Sequence, residues 1–354
     1  MNRVLNFAPG PSPLPLEVLL EVQKELPDWN GTGISVLEMS HRSKDFMGIY
    51  YETVKNLREL YGISEDYEVL FVQGGGHMEF AMVPLNFNFY GTGNYLVNGV
   101  WSQKAFKEAV KLGGAAEAAR VVNRVPRQDE IAMSDGAGYL YYCSNETVNG
   151  IQYHYVPQSD AILVSDMSSD FLSKPVDVSK YGLIYAGAQK NFGPAGLTVV
   201  IVKKDLLGNC SPTTPSMLDY LTYANSESMY NTPPTFAIYV SCLVSRWLLA
   251  QGGVQEMHRR SVVKSSMLYD VIDGSDGFYT NQVEKDSRSL MNVVFNLANE
   301  SLNDEFLAKA RERNIVNIKG HRIVGGMRAS LYNAVTIEAT EKLAEFMKDF
   351  KASH

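Results

Sequence analysis

The feature of this sequence that most constrains its fold is a set of short runs that are apolar on both faces. They lie at 161–170, 182–190 and 197–204, where stretches such as "LTVVIV" lack an alternation of apolar and polar residues. A strand with one face in water would show that alternation, so these runs predict strands that are covered on both sides. Helices must supply the cover, which indicates an α/β fold with a mainly parallel sheet.

Helical and strand-like segments alternate along most of the chain. Helical periodicity predicts helices at 13–26, 45–62, 101–113 and 236–251, and one more after the glycine triplet at 74–76. Further strands are predicted at 67–73, 93–99 and 138–145. From about residue 260, a smaller α+β domain is predicted from helices (261–273, 302–313, 331–350), a strand (292–298) and a loop-rich stretch (317–330).

Composition and charge narrow the possible functions. The chain has a formal net charge of −7 and no long run of Lys and Arg, which argues against a nucleic-acid partner. No stretch is long and apolar enough for a membrane span, and the start lacks the apolar core of a signal peptide, so we expect a cytoplasmic protein. Three scattered cysteines and six histidines without metal-ligand spacing predict neither a disulfide framework nor a metal site.

One lysine, Lys190, stands in an unusual place for a charged residue. It follows the apolar run "GLIYAGA" at 182–188, and the segment 186–193 around it contains no acid. Desolvation at the mouth of a buried strand lowers the pKa of an amine, and a neutral amine can form a Schiff base with an aldehyde. The alternative is a surface lysine whose stem packs while its charge stays in water.

A pyridoxal phosphate site needs more than a lysine, and the sequence offers candidates for the other parts. Asp166 could keep a pyridine nitrogen protonated; a helix cap or a local turn bond is the alternative. Gly74, Gly75 and Gly76, between a strand and a helix, could admit a phosphate or form an ordinary tight turn. Trp101 could stack on a planar ring or pack in the core.

Hydroxyls, amides and cations complete the candidate residues. Thr147 offers a hydroxyl, and Asn231 and Thr232 precede a predicted helix, where capping that helix is the alternative. Two short loops each combine histidine with basic residues: His41, Arg42 and Lys44 in one, and His321, Arg322 and Arg328 in the other. Guanidinium binds carboxylate and phosphate, so these loops predict binding of an anionic substrate, with surface salt bridges as the alternative.

Several motifs together resemble a known family. They are "NFAPGPSPLP", "MSHRSKDF", "FVQGGGH", "NGVWSQKA", "SNETVNGI", "AGAQKNFGPAG", "NTPPTFAIY" and "KGHRIVGGMRAS". On these motifs, which run nearly end to end, the chain is similar to the phosphoserine aminotransferases, class V aminotransferases of fold type I. The resemblance implies a large domain over 15–260 with a mainly parallel sheet of the seven-stranded type. It also implies a small α+β domain over 261–354 that includes residues 1–14.

The resemblance also implies roles for individual residues. Lys190 would bind pyridoxal 5'-phosphate, one per subunit, and Asp166 would pair with its pyridine nitrogen, so both would be catalytic. The other cofactor contacts would come from Gly76, His77, Trp101, Thr147, Gln189, Asn231 and Thr232. The substrate anions would be bound by His41, Arg42, His321, Arg322 and Arg328. Asn231 and Thr232 would reach the phosphate in a neighbouring subunit, which implies a homodimer with shared active sites.

The reaction that the resemblance implies is a ping-pong transamination. L-glutamate would give up its amino group and leave as 2-oxoglutarate, and 3-phosphohydroxypyruvate would accept the group to become O-phospho-L-serine, in L-serine biosynthesis. A second substrate, 4-phosphohydroxy-L-threonine of pyridoxine biosynthesis, stays open. The chain departs from the family at His77, where many members have arginine, and Lys44 is a candidate to replace that charge.

Three alternatives stay open on the sequence. A cysteine desulfurase or another class V lyase would need a mobile cysteine over the cofactor, and Cys143, Cys210 and Cys242 show no such loop. An alanine–glyoxylate type of transaminase would need no extra cations for a phosphate. A non-catalytic pyridoxal phosphate carrier would not need the substrate cations that this chain has.

Overall fold

Fourteen strands and nine α-helices lie in residues 3–354, the part of the chain that the computed structural model describes. The strands are β1 (Leu5–Asn6), β2 (Tyr67–Val72), β3 (Thr92–Val97), β4 (Ala115–Arg120), β5 (Ala137–Cys143), β6 (Asn145–Glu146), β7 (Ile151–Gln152), β8 (Ile162–Asp166), β9 (Leu183–Gly187), β10 (Thr198–Lys203), β11 (Tyr279–Thr280), β12 (Asn292–Leu297), β13 (Ile315–Val316) and β14 (Met327–Ser330). The helices are α1 (Leu16–Glu25), α2 (Lys44–Tyr61), α3 (Gly75–Phe87), α4 (Val100–Lys111), α5 (Tyr220–Asn225), α6 (Thr235–Ala250), α7 (Gly253–Asp273), α8 (Asn303–Glu312) and α9 (Ile337–Ala352).

Seven of these strands form the central sheet, in the order β2-β10-β9-β8-β5-β3-β4. Only β10 runs antiparallel to its neighbours, and the other adjacent pairs are parallel. The predicted α/β fold with a mainly parallel sheet is therefore confirmed. Register places Cys143 beside Asp166 and Asp166 beside Tyr185, so the carboxyl ends of β5, β8 and β9 meet at one edge.

The two faces of the sheet pack against different helices. Val199 and Ile201 of β10 belong to a buried cluster that contains side chains of α2 and α6. Val200 and Val202 belong to another cluster, which contains side chains of α3, α4 and α5. Because both faces are covered by helices, the strands need apolar residues at every position, and this explains the continuous apolar runs in the sequence.

The C-terminal part of the chain forms its own small sheet and core. Strands β11, β12 and β14 pair antiparallel, while β1 pairs with β13. A third buried cluster combines Phe7 with side chains between Leu268 and Phe350. Helix α7 begins at Gly253 rather than at the predicted residue 261, because Gly252 adopts a left-handed conformation (φ 98°) that ends the turn after α6. The division of the chain near residue 260 stays a prediction.

Several strands were not predicted, β4 and β14 among them, and the last helix begins later than expected. Strand β4 has the sequence "AAEAAR", which favours a helix, yet it pairs with β3 as the half-exposed edge of the sheet. Strand β14 lies in the stretch predicted as a loop and pairs with β12, which places Arg328 opposite Val294. Helix α9 begins at Ile337 instead of residue 331, because the Thr336 side chain accepts a hydrogen bond from the Ala339 N–H and caps it.

Helix length and the placement of metal-ligating side chains bear on membrane and metal binding. Within residues 3–354, no single helix has both the length and the apolar content of a membrane span, and α6 and α7 meet that criterion only as a pair bent by 80°. The same part of the chain contains no group of three or more His, Cys, Asp or Glu placed to hold a metal ion. Cys143, Cys210 and Cys242 are free thiols.

A buried lysine fastens the segment that follows β14. Lys264 of α7 is 1% exposed, and its Nζ donates to the carbonyl oxygens of Leu331 (2.8 Å), Tyr332 (2.9 Å) and Val335 (2.9 Å). Three acceptors match the three N–H donors of an ammonium group. The lysine thereby fixes the end of the strand that carries Arg328.

Replacing this lysine tests how much that contact stabilises the fold. We expect Lys264→Met to lower the free energy of unfolding by about 3 kcal/mol, because three buried carbonyls lose their donor. Urea denaturation measures the change. Lys285→Met is the control, since the Lys285 side chain is 79% exposed, and it should stay within about 0.5 kcal/mol of the parent protein. Equal effects of the two substitutions would contradict the assignment.

Candidate active site

A cavity of about 270 Å³ lies at the edge where the carboxyl ends of β5, β8 and β9 meet. In parallel α/β sheets this edge is where ligands usually bind. Its lining is Pro9, Gly10, Gly76, His77, Phe80, Trp101, Cys143, Asn145, Thr147, Val148, Asp166, Ser168, Ser169, Gln189, Lys190, His321 and Arg328. The structure therefore brings together residues from six of the predicted site motifs.

Lys190 projects into this cavity from the turn after β9. Its Nζ donates to Thr147 Oγ1 at 2.8 Å and lies 5.7 Å from the centre of the Trp101 ring. Within residues 3–354, the Lys190 amine forms no ion pair. Burial lowers the pKa of Lys190 below its ordinary value, and the Asp166 carboxylate opposes that shift. The amine is thus closer to its neutral, nucleophilic form than a surface lysine would be.

The N-terminal segment holds the backbone of Lys190 in place. The Ser12 N–H donates to the Gln189 carbonyl at 2.9 Å, and the Ser12 hydroxyl donates to the Lys190 carbonyl. Gly10 packs so closely that a Cβ there would lie 3.4 Å from Lys190 Cγ, and its φ of 140° favours glycine. These contacts explain why the motif "APGPS" accompanies the lysine.

Asp166 is the last residue of β8 and is 5% exposed. Its Oδ1 accepts a hydrogen bond from the Ser168 N–H at 2.8 Å, which is the local turn bond considered as the alternative. The other oxygen, Oδ2, faces Gly76: a Cβ added to Gly76 would lie 4.0 Å from it. Burial raises the pKa of Asp166, while Lys190 and the Ser168 hydrogen bonds oppose the rise. One carboxylate oxygen therefore accepts the local turn bond, and the other lies close to Gly76 on the cavity lining.

The glycine triplet forms the N-terminus of α3. Gly74 has a φ of 97°, and a Cβ on it would lie 2.6 Å from Met78 Cβ, so this turn requires glycine. In the described chain, no side chain caps the first turn of α3. A Cβ on Gly76 would lie 3.5 Å from Ser168 Oγ, so a larger residue would narrow the cavity edge. Uncapped amides at a helix N-terminus suit an anion such as phosphate.

Two rings, Trp101 and His77, border the cavity next to this helix. Trp101 is partly buried and packs against the apolar cluster that contains side chains of α3, α4 and α5. Its buried Nε1 has no hydrogen-bond partner among residues 3–354. The exposed His77 ring stands edge-on to Trp101, with centroids 5.4 Å apart at 88°. Partial burial of the ring against its neighbours and then the Lys104 cation lower the pKa of His77. Trp101 thus has both a packing contact and a place on the cavity wall.

Arg328 and His321 add positive charge to the cavity lining. Arg328 is 6% exposed, and its Nη1 donates to the Thr147 carbonyl at 3.3 Å. It forms no ion pair with any carboxylate in residues 3–354. Burial lowers the pKa of Arg328, but a guanidinium stays charged at neutral pH. Burial and the Arg328 charge also lower the pKa of His321. A buried, unpaired guanidinium indicates a site for an anionic ligand.

Three of the predicted substrate residues lie outside the cavity of this chain. His41 is half-buried and Arg42 is exposed in the loop before α2, and Arg322 is exposed beside His321. Neither Arg42 nor Arg322 forms an ion pair within the described residues, so the surface salt bridges considered as the alternative are not seen. Their binding role stays a prediction.

Asn231 and Thr232 are also outside the cavity, on the exposed segment before α6. Gln73 Nε2 donates to Asn231 Oδ1 at 3.1 Å and to the Thr232 carbonyl at 3.4 Å, which ties this segment to the glycine loop. Pro234 is the N-cap residue of α6, and no side chain in the described chain caps that helix. Capping, the alternative for the pair, is therefore not observed.

Sequence reasoning missed several residues of the cavity wall. Cys143, Asn145, Ser168 and Ser169 all line it, and Asn145 Nδ2 donates to Ser169 Oγ at 2.7 Å. The available signal was their place in the motifs "CSNET" and "SDMSS", next to Thr147 and Asp166. Burial raises the pKa of the Cys143 thiol well above its ordinary value. A protonated thiol fixed in a strand does not suit the mobile nucleophile of a desulfurase.

The comparisons with known proteins agree with this geometry. The family model "Aminotransferase class-V" matches residues 4–343. A protein of Ectopseudomonas mendocina named phosphoserine aminotransferase is 50% identical over 359 residues, covering 100% of this chain and 99% of that protein. The solved phosphoserine aminotransferase of Bacillus circulans subsp. alkalophilus superposes with a TM-score of 0.96 at 45% identity, covering 99% of both chains. The pyridoxal phosphate-bound phosphoserine aminotransferase of Trichomonas vaginalis gives 0.94 at 38% identity, covering 98% of this chain and 100% of that one.

The residues of the cavity fit pyridoxal phosphate, the cofactor of this family. A buried carboxylate (Asp166) suits a protonated pyridine nitrogen, an amine of lowered pKa (Lys190) suits an aldehyde, and the uncapped start of α3 suits a phosphate. Each group lacks a charged partner of its own within residues 3–354. By sequence, by fold and by the chemistry of its cavity, this chain belongs to the class-V aminotransferases.

Proposed function

We propose that this aminotransferase is a phosphoserine transaminase. In a ping-pong cycle it takes an amino group from L-glutamate, releasing 2-oxoglutarate, and gives the group to 3-phosphohydroxypyruvate, forming O-phospho-L-serine. The observation that carries the proposal is the cavity itself, which is lined by Lys190, Asp166 and the buried, unpaired Arg328. Full-length relatives that bear this activity in their name support the choice of substrate.

The chain's own residues would supply proton control around the cofactor. Bound pyridoxal phosphate, one per subunit, supplies a ring that withdraws electrons from the substrate Cα. Asp166 would hold the proton on the pyridine nitrogen, and Trp101 would stack on the ring and exclude water from it. The Lys190 amine would accept and carry the proton that leaves the substrate Cα, since burial favours its neutral form. Thr147, at 2.8 Å from Nζ, keeps the amine aimed at the site.

Substrate recognition depends on cations at fixed places. Arg328 binds the α-carboxylate, because it is the buried guanidinium on the cavity wall. His321 lines the same cavity, and we assign the distal carboxylate or phosphate to His321 together with Arg322, His41 and Arg42, which lie outside the cavity of this chain. This second anion site distinguishes the proposal from an alanine–glyoxylate type of transaminase, whose substrates carry no phosphate.

The wider setting of the reaction follows from its product. O-Phospho-L-serine leads to L-serine, so we place the enzyme in L-serine biosynthesis. The same anion site admits 4-phosphohydroxy-L-threonine, which would link the enzyme to pyridoxine biosynthesis as well. Three unpaired thiols suit a reducing compartment, and we therefore propose a cytoplasmic location.

We also propose that the enzyme is a homodimer whose active sites are shared. Asn231 and Thr232 lie outside their own chain's cavity, exposed and tied to Gln73. An exposed polar pair held in this way is available to the cofactor phosphate of a second subunit.

The first prediction concerns the covalent role of Lys190. Borohydride reduction of the holoenzyme should attach the cofactor to Lys190, because its amine is the one with lowered pKa on the cavity wall. Peptide mapping by mass spectrometry identifies the labelled residue. Lys190→Ala should lose transamination by several orders of magnitude, while Lys180→Ala, at an exposed lysine, should keep it. A label on any other peptide would remove Lys190 from this role.

The second prediction concerns pH and His77. Burial and Lys104 lower the pKa of the free His77, and a phosphate dianion would favour its cation. Attraction is present below the pKa of the complexed imidazole and is lost as pH rises through it, so the KM for phosphoserine should increase with pH. His77→Arg should flatten this dependence and tighten binding by about 1 kcal/mol.

Kinetics from acid to alkaline pH, with L-glutamate as the control substrate, measure this effect. Glutamate carries no phosphate, so its KM should change less with pH in the parent enzyme. Parallel KM curves for the parent and His77→Arg would show that the ring takes no part, leaving Lys44 and the cations near Arg328 to bind the phosphate.

The third prediction tests the shared site with hybrid dimers. Lys190→Ala and the double variant Asn231→Ala/Thr232→Ala should each be impaired as homodimers. A hybrid of the two would contain one site with both defects and one site with none. Purified hybrids should therefore show about half the activity of the parent dimer, as mixed subunits of a two-site enzyme require. If each subunit used its own Asn231 and Thr232, no hybrid site would be intact and activity would stay low.

A further inference from the structure

The N-terminus of α4 is capped by side chains from a distant loop. Glu146 is fully buried; its Oε2 accepts the Trp101 N–H at 2.8 Å and its Oε1 accepts the Ser102 N–H at 2.7 Å. Asn149 Oδ1 accepts the Val100 N–H at 3.0 Å. The first three amides of α4 are thus bound by one loop some 45 residues further along the chain. Such bonds fix both the position and the rotation of a helix.

The helix start is built to receive this carboxylate. Gly99, just before α4, has no side chain with which to cap the helix, and a Cβ on it would overlap the carboxyl group of Glu146. A carboxylate at a helix N-terminus also interacts favourably with the helix dipole. Burial raises the pKa of Glu146, while its hydrogen bonds with Ser102 and Trp101 oppose the rise. Two amide donors, one on each oxygen, favour the ionised form, which accepts hydrogen bonds at both.

The loop that caps α4 also holds the reactive lysine. Thr147, the next residue after Glu146, accepts the Lys190 Nζ–H at 2.8 Å through its hydroxyl and the Arg328 Nη1–H at 3.3 Å through its carbonyl. The loop itself is closed by the Gly150 N–H, which donates to the Glu146 carbonyl at 2.9 Å. Trp101 and Lys190 lie on separate elements. Both are nevertheless held by hydrogen bonds to two adjacent residues, Glu146 and Thr147.

We propose that Glu146 is a positioning residue, which sets the Trp101 ring at the separation from Lys190 that the pyridoxal phosphate ring requires. The inference rests on the proposed stacking role of Trp101. It assigns to Glu146 an effect on cofactor binding that passes through Trp101, and no contact with the cofactor itself.

Substitution by glutamine separates this role from simple packing. Glu146→Gln keeps the size of the side chain but turns one acceptor into an NH₂ donor, which faces the N–H of Trp101 or Ser102. The first turn of α4 must then move, and the Trp101 ring with it. Glu108→Gln is the matched control, because Glu108 lies on the same helix with its carboxylate bound to Lys111 on the protein surface.

The experiment measures pyridoxal phosphate affinity and the visible circular dichroism of the bound cofactor. Apo-protein is titrated with pyridoxal phosphate for the parent, Glu146→Gln, Trp101→Ala, the double variant and Glu108→Gln. We expect Glu146→Gln to weaken binding about tenfold and to reduce the dichroism, the loss of one charge-assisted bond being of that order. In the Trp101→Ala background the same change should cost less than about twofold, because a residue that acts through another shows non-additivity.

Other outcomes overturn the inference in distinguishable ways. If Glu146→Gln lowers the Tm but leaves cofactor affinity and dichroism unchanged, its role is structural only. If its effect adds fully to that of Trp101→Ala, it does not act through Trp101. If Trp101→Ala binds cofactor as tightly as the parent, the stacking role fails first; if the parent binds none, the proposed function fails. Should Glu146→Gln not fold, Asn149→Ala is measured instead and must show a smaller effect in the same direction.

Discussion

The structure depends on two opposite charges that share a cavity without neutralising each other. Asp166 and Lys190 both face the cavity at the strand ends, yet no ion pair joins them within residues 3–354. Burying a charge without a close partner is costly. Burial accordingly raises the pKa of the carboxyl and lowers that of the amine. A ligand with a protonated ring nitrogen beside Asp166 and an aldehyde beside Lys190 would offset the free-energy cost of burying both groups.

The rest of the fold serves to hold these two groups at a fixed separation. Parallel β8 and β9 place Asp166 and the turn before Lys190 at the same edge of the sheet, and helices cover both faces. The loop after β5 connects further parts of the cavity. Its Thr147 forms hydrogen bonds with Lys190 and Arg328, and its Glu146 caps α4. Arg328 of β14 and Trp101 of α4 are thus both connected to this one short loop.

The sequence predicted the fold well where burial is uniform, and poorly where tertiary pairing overrides local preference. The apolar strands and the amphipathic helices were predicted because each pattern reports which faces are covered. Strand β4 was missed, since "AAEAAR" favours a helix and only pairing with β3 makes it a strand. Lys190, Asp166 and Trp101 were singled out from their setting in the sequence, and all three line the cavity, while their roles stay predictions. Glu146 was not singled out, because the residues next to it in the sequence give no sign that its carboxylate accepts hydrogen bonds from a helix 45 residues earlier.

The absorbance spectrum of the purified protein, before and after L-glutamate is added alone, tests the central claim most directly. The account predicts a band near ~420 nm from a protonated Schiff base at Lys190, as this cofactor gives when joined to an amine. L-glutamate should replace that band with one at about 330 nm, and 3-phosphohydroxypyruvate should restore it, because the amino group passes through the cofactor. A protein without the first band, or one whose band does not respond to L-glutamate, would contradict the account.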